Sequence, residues 1–200
     1  MENQERENPT TRAYTALDDV LMKGAEAVVK SYNWTTGRTK ADLANKLLTV
    51  APILESAGVF GVGSFYILPL CGAFLLASHF QQRMNKKTEL AEKKSMSDGA
   101  VDYEIVMAYD LNSQYGKMIA ISSLLQASIS LLSKHPEDSL MIAAGQAVRS
   151  GSHYVMRTDF LPPRKNCLSR GLERLAELAD EYAPQIFPKP ELNLVPELAR

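Results

Sequence analysis

The sequence predicts an all-α, helical membrane protein with one hydrophobic membrane-inserting segment and helical cytoplasmic parts. Three observations carry this expectation. The 27 residues between Glu55 and Arg83 include no formally charged side chain. Elsewhere apolar residues recur at spacings of three and four behind Thr/Asp capping patterns, as amphipathic helices require. No stretch alternates apolar and polar residues as a half-buried strand would.

Composition narrows the function classes. Two hundred residues allow one or two domains and a core built without disulfide staples. A formal net charge of −1 gives the molecule no strong pull toward nucleic acid, so direct nucleic-acid binding is not expected. Cys71 and Cys167 lie far apart and make neither a zinc motif nor a disulfide framework. Cys71, inside the apolar run, reads as a small hydrophobe, and a reducing cytoplasmic setting suits the polar parts. Residues 1–14 are polar, lack the apolar core of a cleavable signal peptide, and are expected to form a disordered lead-in. The internal apolar segment would then act as its own insertion signal.

The N-terminal helices are expected over 15–57. The first runs from Thr15 to Tyr32, with Leu17, Val20, Leu21, Val28 and Val29 on one face. Asn33 to Gly37 breaks it. Trp34, in that break, has an amphipathic ring suited to a membrane interface or a partner groove; a ring wedged beneath a loop is the competing reading. The second helix begins at Thr39, with Leu43, Leu47, Val50 and Leu54 at helical spacing, and Pro52 and Glu55 are expected to end it.

Residues 58–82 form the membrane segment. At ~1.5 Å per residue, Gly58 to Phe80 would reach across the ~30 Å hydrocarbon core. Gly61, Gly72 and Ala73 would let another helix approach closely. Arg83, Lys86 and Lys87 follow at once and, with Trp34, are candidate membrane-interface residues; their charge favours a cytoplasmic C-terminal part. Two geometries compete: a single span, and a re-entrant hairpin turning near Gly58 to Gly63, whose first arm is too short to cross. A central helix wholly enclosed by a water-soluble bundle is the rival to both.

Residues 83–100 read as a charged helical linker and 101–182 as a C-terminal helical domain. Val101 to Ser133 forms one helix, or two split near Asn112 to Gly116. Its uncharged part, Met118 to Ser133, is 16 residues long with five serines, short for a span and better suited to a core. Pro136, followed by Glu137 and Asp138, opens a helix reaching about Val148. Gly151 to Asn166, with Pro162 and Pro163, looks like an extended connection. A last amphipathic helix, Leu168 to Tyr182, carries Leu172 and Leu175 on an apolar face that needs a partner surface. The Pro-rich tail 183–200 adds Phe187, Leu192 and Leu194 as further partner-binding candidates; a tail folded back on its own helices is the alternative.

No constellation carries catalysis. His79, His135 and His153 are scattered, without metal-ligand spacing. Asp102 and Glu104 would point to different sides of a helix. Gly116-Lys117 lacks the rest of a phosphate loop, and no serine sits in a nucleophile elbow. The basic-aromatic group Trp34, Arg38, Lys40 and Lys46 includes the acidic Asp42, a weak phosphate-binding signal. No cofactor, metal or enzymatic activity is expected.

The order of a polar N-terminal helix, the stretch SYNWTTGRTKADLANKLLTVAP, a glycine-rich apolar segment and a helical C-terminal part resembles the TraX-like membrane proteins of IncI-type conjugative transfer systems, which are related to type IVB secretion. The resemblance is one of length and layout and transfers no catalytic residue. It implies a bacterial inner-membrane component or accessory of a multiprotein DNA-transfer apparatus; the sequence as a whole is read as a non-enzymatic assembly or scaffold component, with a soluble helical interaction module or a membrane-inserting pore-forming helical protein as the alternatives. Its expected partners are other membrane or secretion-complex proteins, membrane lipid and further copies of itself.

Overall fold

The computed structural model describes residues 9–62, 67–98, 103–130 and 136–186. Among them the chain is all-helical: α1 Pro9–Thr36, α2 Lys40–Val62, α3 Ile67–Asp98, α4 Tyr103–Ser130, α5 Pro136–Arg157 and α6 Cys167–Ile186.

Helix α1 starts at Pro9, inside the expected lead-in, because proline's missing N–H is no loss at a first helical position. It stops at Gly37, whose φ is 74°. The Gly37 N–H donates to the Asn33 carbonyl at 2.8 Å, and its own carbonyl accepts the Arg164 N–H at 3.0 Å. A Cβ here would stand 1.9 Å from the Arg164 oxygen, so both dihedral and contact demand glycine.

Helix α2 begins directly behind Thr39, as its capping pattern predicts, but runs through Pro52 to Val62 instead of ending near Glu55. An interior proline costs about 3 kcal/mol. Burial outweighs it: Ala51, Pro52, Glu55, Gly58 and Val59 are all buried, largely against α5.

Gly58 to Phe80 is therefore not one helix. Its first residues finish α2 and its last begin α3, which then continues unbroken through the charged linker. Pro69 sits in the first turn of α3, where its lack of an N–H is tolerated. Gln82 Nε2 donates to the Asn45 carbonyl at 3.3 Å and Asn85 Nδ2 to Asn45 Oδ1 at 3.2 Å, so α2 and α3 run antiparallel as a helical hairpin.

Helix α4 is continuous through Asn112 to Gly116. Gly116 lies against α5, where an added Cβ would be 3.0 Å from the His153 Cβ. Helix α5 extends past Val148 to Arg157 because that last stretch, including Arg149, Ser152, Tyr154 and Met156, is buried among α1, α2 and α4. The expected extended connection shrinks to 158–166. Asn166 ends it by accepting the Ser169 N–H at 2.7 Å, an N-cap for α6. Helix α6 continues to Ile186, into the expected tail.

Helix α5 is central and packs on α1, α2 and α4. Gly58 lies beside Asp138, Gly145 beside Glu55, and Lys40 beside Met156, so α5 runs against α2. Ser123 Oγ donates to the Ala143 carbonyl, and Asn112 meets His153, so α5 also runs against α4. The C-terminal ends of α2 and α4 and the N-terminal ends of α3 and α5 thus lie at one end of a two-hairpin body. Lys40 and Thr158 lie at the other.

Gly145 is the tightest test of this packing. A Cβ there would be 2.5 Å from Glu55 Cγ and 2.9 Å from the Ala51 carbonyl oxygen. Gly145→Val should lower stability by about 1–3 kcal/mol through overpacking, whereas Gly171→Ala, with nothing within 4 Å, should hold or raise it. Thermal melts followed by circular dichroism compare them; equal melting temperatures would contradict the α2/α5 contact.

Candidate functional site

The end at which α2 and α4 finish and α3 and α5 begin has an unusual distribution of side chains. Residues 47–62 of α2, 67–82 of α3, 118–130 of α4 and 139–148 of α5 contain one formal charge, Glu55. Their interior is mostly small or polar: Ala51, Gly58, Ser78, Ala120, Ser123, Ala143 and Gly145 are buried, with Leu48, Pro52 and Val59 the larger apolar residues inside. Many of their large apolar side chains face outward, among them Ile53 at 63% exposure, Leu68 at 81%, Phe80 at 64% and Leu125 at 60%. Folding in water normally buries the large apolar groups. Contiguous exposed apolar patches are associated with protein or membrane contacts and with ligand grooves.

Glu55 is matched by Arg149. Arg149 Nε donates to Glu55 Oε1 at 2.9 Å and Nη2 to Oε2 at 2.5 Å, a bidentate pair. Arg149 Nη1 donates to Ser78 Oγ at 3.0 Å and Nη2 also to the Phe74 carbonyl at 3.4 Å, which draws α3 into the same contact. The side chains of the pair are 2% and 9% exposed. Buried charges need this degree of satisfaction to be tolerated.

One turn beyond Arg149, His153 ties three helices. Its Nδ1 is 2.9 Å from Asn112 Oδ1, and Gln81 Nε2 is 2.9 Å from each ring nitrogen. The pattern is satisfied by a neutral ring that donates from Nδ1 to Asn112 and accepts from Gln81 at Nε2. Tyr115 stacks on the ring at 6.1 Å. Burial, then the Arg149 guanidinium, pushes the imidazole down to about 4.

The opposite end is held by charge. Lys40 Nζ lies 2.7 Å from Glu92 Oε1 and donates to Tyr109 Oη at 3.0 Å and to the Met156 and Thr158 carbonyls at 3.2 and 2.5 Å. Tyr109 also donates to Glu92. Burial pulls the Lys40 ammonium below its usual value against the opposing Glu92 charge, and burial with Glu92 drives the Tyr109 hydroxyl upward. Asp18 accepts from Tyr154 Oη and Arg157 Nη1, both at 2.8 Å. Burial would raise this carboxyl, but those hydrogen bonds and the Arg157 and Lys117 charges hold it at about 2.

The residues singled out by sequence are dispersed. Gly61 faces α5, where a Cβ would fall 1.7 Å from Asp138 Oδ1. Gly72 has nothing within 4 Å and Ala73 is exposed, so close helix approach falls on Gly61 together with Gly58, Gly116 and Gly145. Trp34 lies at the charged end, roughly 33 Å along α2 from the C-terminal end of that helix. Arg170 covers its ring at 5.4 Å and donates to its carbonyl at 2.6 Å. Arg83, Lys86 and Lys87 are exposed on α3 immediately past the uncharged section. Leu172 and Leu175 are exposed on α6, while Phe187, Leu192 and Leu194 lie outside the described residues. Among the described residues no cluster of three His, Cys, Asp or Glu could hold a metal ion.

Sequence reasoning missed the two buried ion pairs, whose members are 94 and 52 residues apart. The available signal was a lone Glu55 and a lone Arg149, each bordering a long uncharged run. No protein-family profile, curated protein or solved structure matches the chain.

Two predictions follow from the charges. Glu55→Gln or Arg149→Met alone should destabilise the protein by about 3–5 kcal/mol, and the double variant should recover most of that, because only the single changes strand a buried charge. Additive losses in chemical denaturation would contradict this. His153 protonates at 6.5 when unfolded and at about 4 when folded, so the unfolded chain binds the extra proton between those values. The contribution is complete above pH 6.5 and lost as pH falls to 4, about 3 kcal/mol in all. His153→Gln should flatten the stability profile in that window and leave the Asp18-dependent fall, between about pH 4 and 2, in place.

Proposed function

We propose that this protein is a non-enzymatic membrane-associated assembly component, anchored by the uncharged end of its two helical hairpins. The observation that carries the reading is the reversal of side-chain size at that end: small residues and a compensated ion pair inside, large apolar residues outside. Membrane helices associate through small residues and hide ionisable groups in pairs facing the bundle interior. One segment among the described residues, Lys40–Gly61, is long and apolar enough to cross a membrane, although 44% of its most apolar window is already buried.

The uncharged sections favour a shallow or re-entrant mode. Sixteen helical residues reach about 24 Å, short of the ~30 Å core. Arg83, Lys86 and Lys87 would then lie at headgroup level, with the charged end of the bundle on the cytoplasmic side of a bacterial inner membrane. Helix α6, with Leu172 and Leu175 uncovered, is the surface offered to other subunits. By its layout the complex is a conjugation or secretion apparatus, in which this chain holds partners at the membrane.

Alkaline carbonate extraction and labelling of introduced cysteines test this. The protein should stay with the membrane pellet. Cysteines at Leu68, Leu76 and Leu125 should be shielded from a membrane-impermeant maleimide until detergent is added, while cysteines at Lys94 and Glu173 should label from the cytoplasmic side. Release by carbonate, or full labelling at Leu76 and Leu125 without detergent, would refute the reading.

A further inference from the structure

A cavity of about 390 Å³ lies between α3 and α4, with α5 as its floor. That volume falls within the range of small-molecule sites. Phe80, Met84, Leu111 and Ile119 give it apolar walls. It is electrically neutral. Arg149 is the one residue of its lining that carries a charge near neutral pH, and that charge is matched by Glu55.

The polar groups of the lining are ordered by His153. Its ring gives the Nδ1 proton to Asn112 Oδ1 and takes a hydrogen bond at Nε2 from Gln81. That requirement turns the Gln81 amide: the nitrogen faces the ring and Ser152 Oγ, and Oε1 is left over. One turn along α3, Asn85 is 1% exposed and donates its amide nitrogen to Asn45 Oδ1 at 3.2 Å. Neither Gln81 Oε1 nor Asn85 Oδ1 accepts a hydrogen bond from any described residue. Residues four apart on a helix share a face, and both of these line the cavity. Acceptors in such a setting are ordinarily satisfied. This pair calls for N–H or O–H donors from whatever occupies the space.

The walls favour a ring. Tyr115 stacks one face on His153, yet the residue is 52% exposed and lines the cavity. Phe80 and the Met84 thioether stand in the same lining. Aromatic rings and thioether sulfur both pack favourably on an aromatic guest.

We propose that this cavity binds a neutral aromatic molecule bearing an NH₂ group, as a primary amide or an amine. The ring packs among Phe80, Met84 and Tyr115, and the two N–H bonds are directed to Gln81 Oε1 and Asn85 Oδ1. An anion would face two carbonyl oxygens, and a cation would sit beside the Arg149 guanidinium, so charge of either sign is disfavoured. The assignment rests on the cavity lining and is independent of how the hairpins meet a membrane.

Titration of the full-length protein with benzamide, followed by NMR of the side-chain amide signals, tests it. The Gln81, Asn85 and Asn112 signals should shift and saturate. Acetophenone, with a methyl in place of the NH₂, should bind about tenfold less tightly. Benzoate should bind less tightly than benzamide. Gln81→Met and Asn85→Leu should each narrow the benzamide-to-acetophenone ratio at least threefold, and comparing that ratio between parent and variant removes any effect of partitioning into detergent. Either variant suffices if the other fails to fold. Ala77→Trp, at an exposed position of the lining, should melt with the parent and lose binding at least tenfold. The absence of any saturable shift, equal binding of benzamide and acetophenone, a ratio unchanged in a folded variant, benzoate equal to benzamide, or undiminished binding by folded Ala77→Trp would overturn the proposal.

Discussion

The arrangement of this protein depends on the contact between α2 and α5, where Glu55 and Arg149 meet. Neither residue can be buried alone, and among the described residues neither forms another salt bridge. A slip of one helical turn would displace Arg149 by about 5.4 Å and leave two unpaired charges inside. The pair thus fixes the register of the two hairpins against each other. Gly145 makes it reachable, because its missing side chain lets the Glu55 backbone come within touching distance of α5. Ser78 and the Phe74 carbonyl extend the same contact to α3.

The two ends of the bundle are held by different physics. At the charged end, Ala25, Val29, Ala41, Ala44, Val155 and Met156 form an apolar core, and Lys40 and Asp18 are clasped around it. At the hairpin end, burial of large apolar groups contributes less, since apart from Leu48 and Val59 most of them face outward. Cohesion there comes from the ion pair, from close backbone approach at glycine, and from serine hydroxyls donating to carbonyls on neighbouring helices. His153 stands where the two regimes meet, and its neutral ring joins α3 to α4 through α5.

Much of the secondary structure was legible. The onsets of α2 behind Thr39 and of α5 at Pro136 follow from capping chemistry, which acts within a single turn. Helix ends were not, because tertiary contacts decide them. Pro52 is carried through α2 by burial, and the stretch beyond Val148 stays helical because α1, α2 and α4 enclose it. The uncharged run from residue 56 to 82 was visible, and its division by a turn near Gly58 to Gly63 was one of the two geometries it allowed; hydropathy alone left that choice against a single span open. The ion pairs were invisible for a different reason: a salt bridge across 94 residues leaves no local spacing to read.

That division changes what an apolar run means. A single helix over residues 58–80 would present every side to its surroundings and need lipid or protein on all of them. Two antiparallel arms have an inner face for each other and for α5, so only the outer face needs a separate medium. The outer face is where Ile53, Leu68, Leu76 and Phe80 stand. Because the inner face is close-packed and built largely from alanine, serine and glycine, with Leu48 and Val59 already filling it, sequestering those large side chains inward would require the helices to separate and the Glu55–Arg149 contact to break. The same ion pair that fixes the fold therefore also keeps the apolar residues outside, and any environment that accommodates them must come to the bundle.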